Sequence, residues 1–115
     1  MRGLLTIAGH SGQEYQFLAR PFGESLPESP GVYVITHAKR GENGEWLHTP
    51  LCIGRAENLS RALHAHPESQ CLDHQDANVI CFRIEHSAEY QARVVRDLVE
   101  QHQPRCQCGD EGAGE

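Results

Sequence analysis

Lysine is almost missing from this chain. Lys39 is the only one among ten basic residues, against sixteen acidic ones, for a net charge of −6. Three of the acids (Asp110, Glu111, Glu115) crowd the last six positions with no base beside them, and the rest of the chain carries −3. This is not the basic footprint of a protein that holds nucleic acid non-specifically. Long apolar runs are also missing, and nothing approaches the roughly 18 residues that a membrane helix needs. The opening MRGLLTIAGHSG has one Arg and a short apolar stretch that turns polar too early for a signal peptide. The expectation is a soluble, cytoplasmic chain with no membrane partner. Cysteine is present in odd number: Cys52, Cys71, Cys81, Cys106 and Cys108. With no signal peptide, an odd count argues against a disulfide scaffold. All five are therefore expected as reduced thiols, two or three of them buried as small hydrophobes.

What remains is enough for one domain. The chain has 115 residues, 38% of them hydrophobic. A chain this size buries roughly 65% of the surface its unfolded form exposes. Residues 4–7 and 15–20 read as a hairpin, with Gly12 free to take positive φ at the turn and Tyr15 and Phe17 on one side. Residues 21–30 hold three prolines and read as a loop. Residues 31–36 form the strongest strand pattern, and 38–44 a polar excursion. Residues 46–53 follow as a strand broken by Pro50, which suits an edge or a strand start, and ended by Gly54. A helix is expected from Asn58 to about His66, stopped by Pro67, then a polar loop over 67–77 and a strand over 78–84. Ser87 is a candidate N-cap for a helix to Gln103 that repeats Ala88, Ala92, Val95, Leu98 and Val99 at helical spacing. The tail 108–115 has almost no apolar content and is expected to be disordered. The fold class is α/β or α+β: a small, mostly antiparallel central sheet flanked by helices, with an N-terminal hairpin, in a single domain over 1–107.

One arrangement of residues carries chemical information. Pro30-Gly31-Val32-Tyr33 opens a strand, and Cys52-Ile53-Gly54-Arg55-Ala56-Glu57-Asn58-Leu59 stands about twenty residues later at a strand-to-helix junction. The last helix reads Val95-Arg96-Asp97-Leu98-Val99, followed by Pro104-Arg105-Cys106-Gln107. In order and spacing this resembles the GIY-YIG nuclease superfamily over residues 30–107. The hairpin over 2–21 is similar to that of uncharacterised bacterial members.

The resemblance implies metal-assisted phosphodiester hydrolysis. In the family a Tyr activates water, a second Tyr positions the phosphate, an Arg on the first helix stabilises developing charge, and a Glu on the last helix holds one Mg²⁺ or Mn²⁺. Carried over by position, the site is depleted. Tyr33 stands for the first tyrosine, Arg55 for the base after the second triplet, and His66 for the His or Tyr one turn along the first helix. The departures are Cys52 for the second tyrosine, Ala62 for the catalytic Arg, Val95 for the metal-binding Glu, and Gln107 for the Asn often found after the closing proline. Gly54 keeps the glycine of its triplet. Arg61 cannot replace Ala62, since one residue turns about 100° around a helix. Glu89, Asp97 and Glu100 stand about 120°, 200° and 140° from Val95. Loss of one such stabiliser typically costs about 10²–10³ in rate. The resemblance with these departures implies a non-catalytic site and no cofactor.

The plain readings stand alongside. Tyr33 alone is ordinarily a sheet-core residue, Val95 is core, Gly54 serves the backbone, and Arg55 and Arg61 are solvated helix-start charges. Arg55, and Arg61 more weakly, are the candidates for residual phosphate contact. His64, His66, Cys71 and His74 form a compact cluster of zinc-compatible ligands, but the spacing matches no zinc motif, and two helical histidines two apart face different sides. Cys106 and Cys108 alone cannot close a metal site. Tyr15, Phe17, Phe22 and Trp46 lack interleaved bases and read as core and lid rather than a base-stacking platform. Three classes of function follow: an interaction or regulatory module with an unknown protein partner, a nucleic-acid binder, and a metal-dependent endonuclease with a rearranged site.

Overall fold

The computed structural model describes residues 3–62 and 69–106. It is an α+β fold in which five strands form one antiparallel sheet in the order β1-β2-β5-β3-β4. The strands are β1 (Gly3–Ala8), β2 (Glu14–Pro21), β3 (Gly31–Arg40), β4 (Trp46–Ala56) and β5 (Val79–Ile84). Among the described residues three helices accompany them: α1 (Leu59–Ala62), α2 (Ser69–His74) and α3 (Ala88–His102). None of these helices is long and apolar enough to cross a membrane.

Period-two alternation sorts the side chains onto two faces. One face of the sheet packs under α3. Its core joins Tyr15, Phe17 and Ala19 of β2, Val32 and Val34 of β3, Ile53 of β4 and Cys81 of β5 to Val94, Val95 and Leu98 of α3. The other face packs under α1 and α2. There Tyr33, Ile35, Cys52, Ile80 and Phe82 meet Leu59 and Leu72. β3 and β5 are apolar on both faces because helices cover both, as expected of central strands.

The first hairpin forms as expected, with Gly12 at φ +91 in its turn. β3 runs on to Arg40, so the polar excursion shortens to a tight turn over 41–45. Trp46 stacks against the Arg40 guanidinium there, 4.7 Å from ring centre to Cζ. β4 is an edge strand and holds Pro50 at a bulge: Ile35 pairs with Cys52 and Thr36 with Pro50, leaving Leu51 as the extra residue. The bulge turns Leu51 and Cys52 into the same core. Gly54 does not end β4; it pairs opposite Tyr33, and the strand continues to Ala56.

Asn58 caps α1, its Oδ1 accepting the Arg61 N–H, and the carbonyls of Ser29 and Pro27 accept from Leu59 and Ser60. The described helix ends at Ala62, and the expected extension to His66 falls outside the described residues, as does the tail 107–115. The expected polar loop before β5 contains α2, whose Leu72 is buried. Ser87 caps α3 by accepting the Tyr90 N–H, and Gln103 closes the helix in the left-handed region. Ala88 is exposed, whereas Gln91 and Asp97 of α3 are buried.

The thiol expectation is corrected. Cys71 and Cys106 form a disulfide with Cα atoms 6.0 Å apart. α2 carries Cys71 to the segment after α3, and the Cys106 N–H donates to the Leu51 carbonyl at 2.7 Å. Cys52 is also disulfide-bonded. Among the described residues Cys81 is the free thiol, buried under α3, where burial pushes its pKa up to about 12. Phe22 and Trp46 are exposed rather than core, while Tyr15 and Phe17 are buried.

Candidate functional site

The residues singled out in the sequence divide between the two faces. Tyr33 lies midway along β3, between Phe82 of β5 and Gly54 of β4. Its side chain is 0% exposed in the core beneath α1 and α2. Cys52 is 0% exposed in the same core and disulfide-bonded, so it offers neither a phenol nor a thiolate. Ala62 is half-buried at the end of α1 against this core. Arg61, one residue earlier, is exposed. The structure therefore brings Tyr33, Cys52 and Ala62 together, with Gly54 on the same face by register, in a packed apolar layer.

Gly31 has a steric duty at the head of this strand. A Cβ added there would collide with the Arg83 carbonyl oxygen of β5 and press on the Leu59 side chain. The glycine that opens the first triplet thus allows β3, β5 and α1 to approach closely.

Arg55 and Val95 lie on the opposite face. Val95 is 6% exposed in the core under α3. Arg55 reaches α3, donating to the Ala88 carbonyl at 3.4 Å and the Gln91 Oε1 at 3.3 Å. Gln91, buried, donates in turn to the Glu85 carbonyl. Arg55 is thus tied into the start of α3, rather than solvated as a helix-start charge.

A hard divalent ion needs oxygen ligands. Val95 supplies none, and among the described residues no three His, Cys, Asp or Glu side chains gather to hold a metal. The residues at the family's metal position do not fit Mg²⁺ or Mn²⁺. His66 and Gln107 lie outside the described residues, as do His64 and Cys108. Cys71 is engaged in its disulfide, which removes it as a thiolate ligand beside His74.

A second polar centre was not legible from the motifs. Asp97, 9% exposed on α3, accepts from the Ser11 N–H at 2.8 Å, the Ser11 hydroxyl at 2.7 Å and the Tyr15 hydroxyl at 2.7 Å. Its own carbonyl accepts the His10 N–H at 3.0 Å. These donors hold the Asp97 carboxyl below its ordinary value of 3.8, the Ser11 hydroxyl first and Tyr15 second. Burial, and then the Asp97 bond, raise the Tyr15 phenol to about 12. Gly9 makes room for the contact, since a Cβ there would collide with the Asp97 carboxyl group. The sequence carried no signal of this centre, since Asp97 stands about 200° around α3 from Val95, off its apolar stripe.

Compared with family models, with curated proteins and with solved structures, the chain matches none.

Proposed function

We propose that this chain is a GIY-YIG-like domain whose catalytic positions have been given over to packing, and that it works as a protein-interaction or regulatory module. The strand order supports the fold part of this reading. The strands of the two triplets, β3 and β4, are antiparallel neighbours, a helix follows the second, β5 joins the far side of β3, and a long helix closes the unit. The hairpin β1–β2 extends this core sheet beyond β5.

The observation that carries the functional part is the burial of Tyr33. A phenol with no exposure, beside a disulfide-bonded Cys52, has no access to water or phosphate. Val95 faces the other side of the sheet, so the family's acid and tyrosine positions do not converge. Arg55, engaged with α3, is not presented as a phosphate fork, and the −6 charge adds no attraction for a polyanion.

The interaction part rests on an apolar surface that α1 and α2 leave open. Leu4, Leu18 and Phe82 pair in one row across β1, β2 and β5, and Ile84 follows on the same face. Leu4 is 71% exposed, and Leu18 and Ile84 are exposed as well. Exposed apolar side chains grouped on one sheet face around the buried Phe82 are a common mark of protein contacts.

The test is incubation of the purified chain with supercoiled plasmid and with linear duplex, in Mg²⁺ and in Mn²⁺. The reading predicts no strand breaks above buffer. Nicking by the native chain that Tyr33→Phe abolishes would overturn it and return the chain to the endonucleases.

A further inference from the structure

A cleft of about 310 Å³ opens between the β1–β2 turn and α3, on the sheet face opposite Tyr33. Ser11, Gln13 and Tyr15 form its hairpin wall. Its helix wall is a single stripe: Tyr90, Arg93, Arg96, Asp97 and Glu100 fall within an arc of about 120° at 100° per residue. The bonds from His10, Ser11 and Tyr15 to Asp97 clamp the two walls together. The floor of the cleft is thus set before any ligand arrives, which lowers the ordering cost of binding.

Its chemistry is asymmetric. Arg20, Arg40, Arg55, Arg83 and Arg105 each reach an acceptor within the protein. Arg93 and Arg96 are exposed, line the cleft, and make no hydrogen bond or ion pair with a described residue. Spaced i and i+3, they are neighbours on one face of the helix. Tyr90, half-buried against the core, presents a flat wall beside them. The Asp97 carboxylate already accepts three hydrogen bonds, and Glu100 leaves a negative charge on the lining.

We propose that this cleft is a binding site for a small ligand that carries one oxyanion, a carboxylate or a phosphate monoester, held by Arg93 and Arg96 with an aromatic body against Tyr90. The volume is near the lower end for small-molecule sites, which fits a ligand of about one ring. Glu100 disfavours further negative charge. The site is independent of the proposal for the Tyr33 face and stands or falls separately.

The test is titration of the ¹⁵N-labelled chain with benzoate, phenyl phosphate and inorganic phosphate, read by amide shifts. Benzoate or phenyl phosphate is expected to move the Ser11, Gln13 and Tyr90 amides saturably, and whichever saturates at lower concentration names the oxyanion. The Arg93→Ala/Arg96→Ala double variant should weaken binding by about tenfold or more, since hydrogen bonds to charged groups are each worth that much. Glu100→Gln should tighten it. Arg61→Ala, on α1, should leave it unchanged and controls for general charge. Both arginines are exposed, so the double variant should keep the wild-type Tm. Absence of saturable shifts, or an unchanged midpoint in the double variant, would overturn the proposal. Inorganic phosphate binding as tightly as phenyl phosphate would overturn the role of Tyr90.

Discussion

The Tyr15 hydroxyl donates to Asp97 Oδ2 at 2.7 Å, joining residues 82 positions apart and fastening the N-terminal hairpin to the last helix. Together with Ser11 it gives the fold a pH window. Asp97 is held below its ordinary carboxyl value, so its contribution is present above about pH 4 and is lost as pH falls through the lowered folded value. Tyr15 is raised to about 12, so its contribution is complete below its ordinary value of 10.0 and is lost as pH rises from there through about 12. Urea midpoints measured across pH should fall at both ends. Asp97→Asn should flatten the acid limb, and Tyr15→Phe the alkaline one. At neutral pH Tyr15→Phe should cost about 1.5–3 kcal/mol, the worth of a hydrogen bond to a charged group.

The Cys71–Cys106 bond closes a loop with a sequence separation of 35. Chain-entropy arguments give such a crosslink about 3–4 kcal/mol. The Cys71→Ser/Cys106→Ser variant should lose that much in denaturant unfolding. Peptide mapping without reductant should recover the linked pair, and mapping after mild reduction should not.

Val95→Glu puts a carboxylate at the position that the proposed GIY-YIG likeness gives to the metal ligand, in the core under α3. Burying an unpaired ionisable group there should cost about 3–5 kcal/mol. Combined with Ala62→Arg, it should give a destabilised protein and no cleavage, because the two positions lie on opposite sheet faces. Metal-dependent nicking by that pair would show that the faces are assigned wrongly.

Gly31→Ala tests the steric account of the first triplet. With an added carbon driven into the Arg83 carbonyl, a central strand must shift. A loss of about 1–3 kcal/mol is expected, as for other overpacked sites. A neutral Gly31→Ala would contradict the close approach of β3 and β5.

Much of the fold was legible because local chemistry and tertiary packing agree. Ser87 and the α3 periodicity set that helix to within a residue or so at each end, and Pro50 pointed to an edge or a strand start, of which the structure shows the edge. The β-branched run at 31–36 marked a central strand that extends four residues further. Elsewhere long-range partners decided the outcome. α2 is short and polar, with Leu72 its only buried apolar anchor among the residues whose side chains are described. A disulfide partner depends on spatial approach, which a cysteine count does not encode. Asp97 was read for the angle it makes with Val95, whereas its role is set by Ser11 and Tyr15 from the other end of the chain. The triplets at 31–33 and 52–54 were visible as spacing; their inward orientation follows from helices on both faces of β3.

The central claim is that Tyr33 and Cys52 belong to a sealed core. Covalent labelling of the native chain with a tyrosine-acylating reagent and iodoacetamide, read by mass spectrometry, tests it most directly. The account predicts rapid labelling of Tyr90, at the cleft, none of Tyr33 until the protein unfolds, and none of the disulfide-bonded Cys52 until it is both unfolded and reduced. Labelling of Tyr33 in the native protein at the rate of Tyr90 would contradict it and reopen that face as a reactive site.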